Sequence, residues 1–164
     1  MLNTGTLRVT TPTDREVMMV RVFDAPRRMV FDAFTKCEFL KRWFGPRGWL
    51  LLECQSDFRP GGSYQFVLGG PNGERMGMRG AVREVVRPER VVHAESFDDY
   101  PGESLVTTTF VEDRGKTTVT IVVQYESKQV RDAVISSGME HGAAESYDKL
   151  AEYLESISNT TREA

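Results

Sequence analysis

The sequence predicts an α+β domain in which a curved antiparallel sheet of seven strands wraps around one long C-terminal helix. The middle of the chain alternates apolar and polar residues between turn signals, which is typical of antiparallel strands. The C-terminal part has apolar residues at intervals of three and four, and two short helical patterns follow the first strand. A doubly wound α/β fold is excluded, because it would alternate strand and helix throughout.

The first strand and the two short helices lie near the N-terminus. Residues 17–23 are mostly β-branched or long and apolar, and they end at Asp24-Ala25-Pro26, which is typical of entry into a helix. Apolar side chains then mark one helical face over residues 30–34 and a second over residues 39–44. The second helix is expected to end at Gly45-Pro46.

Six further strands are expected to follow as a meander. The turn signals between them include Arg59-Pro60-Gly61-Gly62 and the Asn-Gly pair at residues 72–73. Because proline sets a turn and glycine permits positive φ, we interpret Gly61 and Gly62 as structural residues. The six strands are predicted near residues 52–58, 64–68, 75–86, 91–97, 104–112 and 117–125.

The long amphipathic helix is predicted over residues 139–157, which corresponds to a length of about 28 Å. A shorter helical segment, residues 128–135, precedes it. The domain itself is expected to span residues 16–157, with a flexible N-terminal arm over residues 1–15 and a polar tail over residues 158–164. A curved sheet around one helix leaves space at the end of the helix, which is a natural ligand cavity.

The overall charge excludes some partner classes. The 164 residues include 21 Lys and Arg against 24 Asp and Glu, and the net charge is −3. Without a broad basic field, neither nucleic acid nor an anionic membrane is an expected partner. No apolar stretch is long enough to span a bilayer and no signal-peptide core is visible, so a cytoplasmic location is expected. A homodimer is left open.

The two cysteines, Cys37 and Cys54, are expected to pack as small, half-buried apolar residues. They have no CxxC spacing and no cluster of His or Cys around them, which argues against zinc and against a disulfide scaffold. Cys37 follows Lys36 near the start of a predicted helix, where a thiolate would be favoured, but no histidine is nearby in sequence. His141 also lacks neighbours at ligand spacing, so no metal and no cofactor are expected.

Short motifs in a particular order carry a family resemblance. They are Phe23-Asp24-Ala25-Pro26 with Val30-Phe31-Asp32-Ala33-Phe34, Trp43-Phe44-Gly45-Pro46, Asp57-Phe58-Arg59-Pro60-Gly61-Gly62, Arg79-Gly80 with Glu84-Val85, Pro88-Glu89-Arg90-Val91-Val92, and Gly138-Met139-Glu140-His141-Gly142 leading to Leu150. Their order and spacing resemble the START-like (SRPBCC) superfamily, and within it the bacterial family named after the C-terminal domain of the activator of the Hsp90 ATPase.

The resemblance covers about residues 16–157 and implies a helix-grip fold, as in Bet v 1, with an internal apolar cavity. The chain departs from the pattern at Thr35-Lys36-Cys37, where relatives usually read Thr-Asp-Pro, so the corner between the two short helices is expected to differ. The resemblance implies no single activity, because relatives include lipid carriers, hormone receptors, polyketide cyclases and co-chaperones.

The expected function is the binding of an apolar or amphipathic small molecule in that cavity. Trp43 and Phe44 on the second short helix are candidates for a lid, although the same rings could simply attach that helix to the sheet. Aromatic and Met side chains suit an adaptable apolar site. The candidate lining residues are Phe34, Phe39, Trp43, Tyr64, Phe66, Met78, His93, Phe97, Met139 and Tyr147.

Two alternative functions are kept. His93 and Glu95 are weak catalytic candidates, because they lie on one strand face about 7 Å apart and could act as base and acid. With Tyr64 or Tyr125 as a further donor, they would suit a polyketide cyclase, an aromatase or a hydrolase. The second alternative is an Hsp90-type chaperone partner, which the family name suggests. It is less favoured, because the activators carry a separate N-terminal module and only about 15 polar residues precede this domain.

Overall fold

The sheet is open, has eight strands and wraps around the long C-terminal helix in the computed structural model, which describes residues 7–163 and the side chains through Ile157. The strands are β1 Arg8–Thr10, β2 Glu16–Phe23, β3 Leu50–Ser56, β4 Ser63–Gly69, β5 Arg75–Val86, β6 Arg90–Phe97, β7 Ser104–Asp113 and β8 Lys116–Gln124. The helices are α1 Arg27–Thr35, α2 Cys37–Trp43, α3 Lys128–Ser136 and α4 Met139–Glu163.

The strand order is β1-β2-β8-β7-β6-β5-β4-β3, and every neighbouring pair is antiparallel. Strands β3 to β8 form a meander, and its last strand, β8, pairs with β2 from the start of the chain. Strand β1 pairs with the other side of β2 and forms one edge of the sheet. Register shifts between Leu51 and Glu53 and between Val82 and Glu84 interrupt the ladders of β3 and β5. Such bulges bend a sheet, and they suit one that curves around a helix.

The helices cover the concave face of the sheet. Helix α1 contacts β7 and β8, while α2 contacts β3 and α4. Leu150, Ala151 and Leu154 of α4 are almost completely buried against the sheet and the short helices. No helix within residues 7–163 is long and apolar enough to cross a membrane. The predicted α+β helix-grip architecture, with two short helices after the first long strand, is confirmed.

The prediction of seven strands was wrong by one. Arg8–Thr10, assigned to the flexible arm, pairs with Met18–Val20 as β1. This strand covers the edge of β2, whose backbone groups would otherwise lack partners on that side. The predicted end of the long helix at Ile157 was also too early, because α4 continues to Glu163 through residues that include neither Gly nor Pro. Residues 1–6 of the arm and Ala164 of the tail lie outside the described residues.

The two cysteines form a disulfide, so the prediction that they pack as separate apolar residues was wrong. The Cα atoms of Cys37 and Cys54 are 5.8 Å apart, and the bond joins the first residue of α2 to the edge strand β3. Local spacing could not reveal the pair, because the cysteines are 17 residues apart and meet only once α2 packs against β3.

The turn between β3 and β4 requires both of its glycines. Gly61 has φ of +83°, and a Cβ on Gly62 would lie 2.1 Å from the backbone oxygen of Asp57. We therefore expect Gly62→Val to lower the free energy of unfolding by about 2 kcal/mol or more, and Gly61→Ala, which has open space, by about 1 kcal/mol. Urea unfolding measures both. A Gly62→Val protein as stable as the parent would contradict the structural role of this glycine.

Candidate ligand-binding site

A continuous row of aromatic rings runs through the interior from α4 to β4. Centroids of neighbouring rings along it are separated by 6.1, 5.1, 5.6, 5.3 and 4.9 Å, which is the usual range for aromatic contacts. Five of its six members were predicted as lining residues, and Phe44 was predicted with Trp43 as part of the lid. This aromatic row consists, in spatial order, of Tyr147, Phe34, Trp43, Phe44, Phe66 and Tyr64.

Trp43 occupies the middle of the aromatic row. Its side chain is 2% exposed, and its Nε1–H donates a hydrogen bond to the backbone oxygen of Ala33 at 3.0 Å. The indole is therefore part of the core in this structure, as the simpler interpretation of the sequence held. Phe39, from the same helix, turns away and packs 6.3 Å from the ring of Tyr153. Contact of either residue with a ligand stays a prediction.

The other predicted lining residues lie on the strands and at the start of α4. Met78 is buried and pairs across the sheet with Phe66 on one side and Phe97 on the other. Phe97 and Met139 are half-buried and pack against the core. The structure thus brings Met78 and Phe97 next to the aromatic row, and their contact with a ligand also stays a prediction.

A small polar cluster lies beside one end of the aromatic row and consists of Tyr64, His93 and Glu95. His93 and Glu95 project from the same face of β6. Tyr64 comes from β4, which is separated from β6 by the single strand β5. The Tyr64 hydroxyl makes a long hydrogen bond of 3.5 Å to Oε1 of Glu95, and its ring centroid is 5.1 Å from that of His93.

Gly80, on the intervening strand β5, makes this arrangement possible. It pairs with Tyr64 on one side and with Glu95 on the other. A Cβ at Gly80 would lie 2.4 Å from Cε1 of Tyr64 and 2.1 Å from the backbone oxygen of Ala94. The missing side chain therefore allows Tyr64 to lie across β5 and reach Glu95. The sequence analysis placed Gly80 in a family motif but did not assign it this role.

Burial keeps the imidazole of His93 neutral at pH 7, because desolvation lowers its pKa from 6.5 to about 4. The ring lies edge-on to Phe58 as well as to Tyr64. Its Nδ1 is buried, and no hydrogen-bond partner for it occurs among the described residues. His93 therefore offers an unused polar atom inside an aromatic environment.

Glu95 has the opposite shift. Burial raises its pKa from 4.5 to about 7, although the hydrogen bond from Tyr64 acts against this shift. Burial, with a smaller effect of the charge of Glu95, also raises the pKa of Tyr125 to about 12 and that of Tyr147 above its usual value. Near neutral pH the site therefore contains a carboxyl group that can donate or accept a hydrogen bond, with protonated tyrosines around it.

A narrow gap of about 170 Å³ lies at the Tyr147 end of the aromatic row, and none of the three polar-cluster residues lines it. The gap admits no water-sized sphere, so a ligand must displace side chains to enter. Phe34 and Tyr147 belong both to this gap and to the aromatic row. The gap is lined by Leu7, Met19, Arg21, Phe23, Phe34, Val119, Ile121 and Tyr147.

A buried ion pair that the sequence analysis missed lies next to the gap. Nη1 of Arg21 on β2 donates to Oδ1 of Asp148 on α4 at 2.5 Å, and the two side chains are only 3% and 10% exposed. The sequence pattern could have indicated a buried arginine, because Arg21 occupies an inward position between Met19 and Phe23 on an alternating strand. His141, in contrast, is exposed and lies 3.6 Å from Glu145.

Comparisons with known proteins agree with this architecture. Residues 24–155 match the model of a family described as Activator of Hsp90 ATPase homolog 1-like protein. A solved structure from Rhodobacter sphaeroides is 30% identical with a TM-score of 0.88, and the alignment covers 92% of this chain and 99% of that chain. A Silicibacter pomeroyi protein that carries the family name is 24% identical with a TM-score of 0.72, covering 85% and 97%.

A third solved structure, from Mycobacterium smegmatis, is 23% identical with a TM-score of 0.78, covering 90% of this chain and 97% of that chain. The comparison with curated proteins found no match. The family model spans most of the chain, including the aromatic row and the polar cluster. The chain therefore belongs to the Activator of Hsp90 ATPase homolog 1-like family, within the START-like (SRPBCC) superfamily.

Proposed function

We propose that the protein binds one amphipathic small molecule between the curved sheet and α4. Proteins of this fold commonly bind hydrophobic ligands. The observation that carries the proposal is the buried Nδ1 of His93, which has no partner among the described residues and lies beside the aromatic row. A buried polar atom without a hydrogen bond costs about 1–3 kcal/mol, and a ligand group bonded to Nδ1 would recover this free energy.

The surroundings favour a ligand with a flat apolar body and one uncharged polar group. Planar ligands stack well on the rings of Tyr64, Phe66 and Trp43. A formal charge would be costly here, because it would lose its water between apolar side chains. A hydroxyl or carbonyl group suits the polar cluster, since neutral His93 and Glu95 together can donate and accept.

The test is a panel of uncharged sterols and flavonoids, with fatty acids and the dye ANS as charged comparisons, followed by thermal unfolding. We expect at least one micromolar ligand at a single site, and at about 100 times its Kd it should stabilise the fold by about 2.7 kcal/mol. Tyr64→Phe and Glu95→Gln should each weaken its binding by about tenfold, because each removes part of the polar cluster.

The matched control is Glu155→Gln, which changes an exposed carboxylate of α4 and should leave the affinity unchanged. If no member of the panel raises the melting temperature, or if the variants of the polar cluster bind as tightly as the control, the proposed site is wrong.

A second candidate function is an enzyme that uses the same interior. The supporting observation is that a neutral histidine and a carboxyl group with a pKa of about 7 lie on one strand face. His93 would serve as general base and Glu95 as general acid for a cyclase, an aromatase or a hydrolase. A bound panel member that is converted to product, with conversion lost in His93→Gln while binding persists, would favour this function over simple binding.

The family name alone supports an Hsp90-type chaperone as partner, and recovery of such a chaperone with the tagged protein from its own host would test it. A cytoplasmic location stays a prediction.

A further inference from the structure

The disulfide lies beside an open depression on the surface, and Phe58, which lines this depression, also packs against Tyr64 and His93 of the polar cluster. The depression has a volume of about 440 Å³, and small-molecule sites commonly occupy about 300–1,000 Å³. Cys37 lines it, whereas Cys54 is not among its lining residues. The remaining lining residues are Thr35, Lys36, Ser56, Asp57, Phe58, Arg59 and Arg87.

Positive charge predominates in this depression. Three lining residues, Lys36, Arg59 and Arg87, are cations, and Asp57 is the single acid among them. Arg59 is paired with Asp57 at 2.8 Å, while Arg87 donates from Nη2 to the backbone oxygen of Phe58 at 2.9 Å. Lys36 also lies 3.6 Å from Asp32, but all three cations are exposed and outnumber the single acid that lines the depression, which favours an anionic ligand.

We propose that this depression docks a small anionic thiol, which exchanges with the disulfide at Cys37. The thiolate of the ligand attacks Sγ of Cys37 and forms a new sulfur–sulfur bond. The electron pair of the old bond leaves with Sγ of Cys54, which then takes a proton from water. Cys37 now carries the ligand as a mixed disulfide.

A second thiolate completes the exchange. It attacks the ligand sulfur of the mixed disulfide, and Cys37 leaves as a thiolate. The protein disulfide has gained two electrons, and two thiol molecules have become one small disulfide. The start of α2 is then no longer joined covalently to β3. In a compartment that keeps thiols reduced, disulfides are usually transient and serve catalysis or redox sensing, which suits such an exchange.

The experiment compares glutathione with glutathione diethyl ester, which has the same thiol but masked carboxylates. The oxidised protein is mixed with each reagent, free thiols are alkylated at intervals, and peptide mapping locates the adduct. Each rate is divided by the rate of the same reagent with a small uncharged disulfide. We expect glutathione to react about tenfold faster than the ester, with the first adduct on Cys37.

Charge variants sharpen the comparison. Lys36→Gln combined with Arg59→Gln should bring the ratio of the two rates close to one, and Asp57→Asn should increase it. The matched control is Lys128→Gln, which removes an exposed cation on α3 and should leave the ratio of the two rates unchanged. Because a variant could fold poorly, the parent is also measured in about 1 M NaCl, where screening should abolish the advantage of glutathione.

Equal corrected rates for the two reagents would overturn the proposal, and so would a first adduct on Cys54. Two free thiols in protein purified without a reductant would overturn it as well.

Discussion

Replacing Arg21 by Met is expected to lower the free energy of unfolding by about 3–5 kcal/mol. Arg21 joins β2 to α4 through its buried ion pair with Asp148, and its guanidinium also lies 5.4 Å from the ring centroid of Phe23. Without Arg21 the buried carboxylate of Asp148 loses the cation that is hydrogen-bonded to it. The penalty for an unpaired buried charge, and not the lost attraction alone, makes the effect large.

The matched control for this ion pair is Arg47→Met. Arg47 also pairs with a carboxylate of α4, that of Glu152, but the two side chains are 48% and 57% exposed. Water solvates both charges there, so we expect a loss within about 1 kcal/mol. The double variant Arg21→Met with Asp148→Leu should recover most of the lost stability, because it removes both buried charges. Equal effects of Arg21→Met and Arg47→Met in urea unfolding would contradict this account.

Stability should depend on pH in opposite directions in two variants of the polar cluster. The folded protein keeps the proton of Glu95 up to about pH 7, whereas the unfolded chain loses it near pH 4.5. Glu95 therefore costs stability as the pH rises through this window, by about 3 kcal/mol in total. In Glu95→Gln that cost is absent, so its stability relative to the parent should increase from pH 4.5 to 7.

His93 has the reverse effect. The unfolded chain binds a proton near pH 6.5, whereas the folded protein resists protonation until about pH 4. Stability is therefore lost as the pH falls through this window, again by about 3 kcal/mol. The stability of His93→Gln relative to the parent should accordingly increase as the pH falls. In the parent the two effects nearly cancel between pH 4.5 and 6.5. Urea unfolding from pH 4 to 7.5 tests both variants, and slopes of the same sign would contradict the predicted protonation states.

The local patterns of the sequence were sufficient for most of the fold. Alternation predicted β5 over residues 75–86, where the structure places Arg75–Val86, and helical spacing predicted α1, α2 and α3. The elements that were missed depend on distant partners. Arg8–Thr10 is a strand because the edge of β2 is available, and Cys37 meets Cys54 because α2 packs on β3.

The sequence predicted which residues belong to the candidate site better than it predicted how their side chains pack together. Alternation placed Tyr64, His93 and Glu95 on their strands, but their meeting depends on the absence of a side chain at Gly80 between them. The pKa shifts of His93 and Glu95 follow from burial, which only the assembled sheet and helices produce. For Phe39, too, the sequence predicted the helix but not the contact, because its position on α2 did not reveal that its ring packs against Tyr153.

The most direct test of the proposed site is ¹⁵N NMR of the two histidine side chains during titration with the tightest ligand of the panel. The chain has two histidines, the buried His93 and the exposed His141, so the second is an internal control. We predict that the Nδ1 signal of His93 shifts in proportion to saturation while both signals of His141 stay in place. Saturable binding that leaves the Nδ1 signal of His93 unchanged would contradict the account.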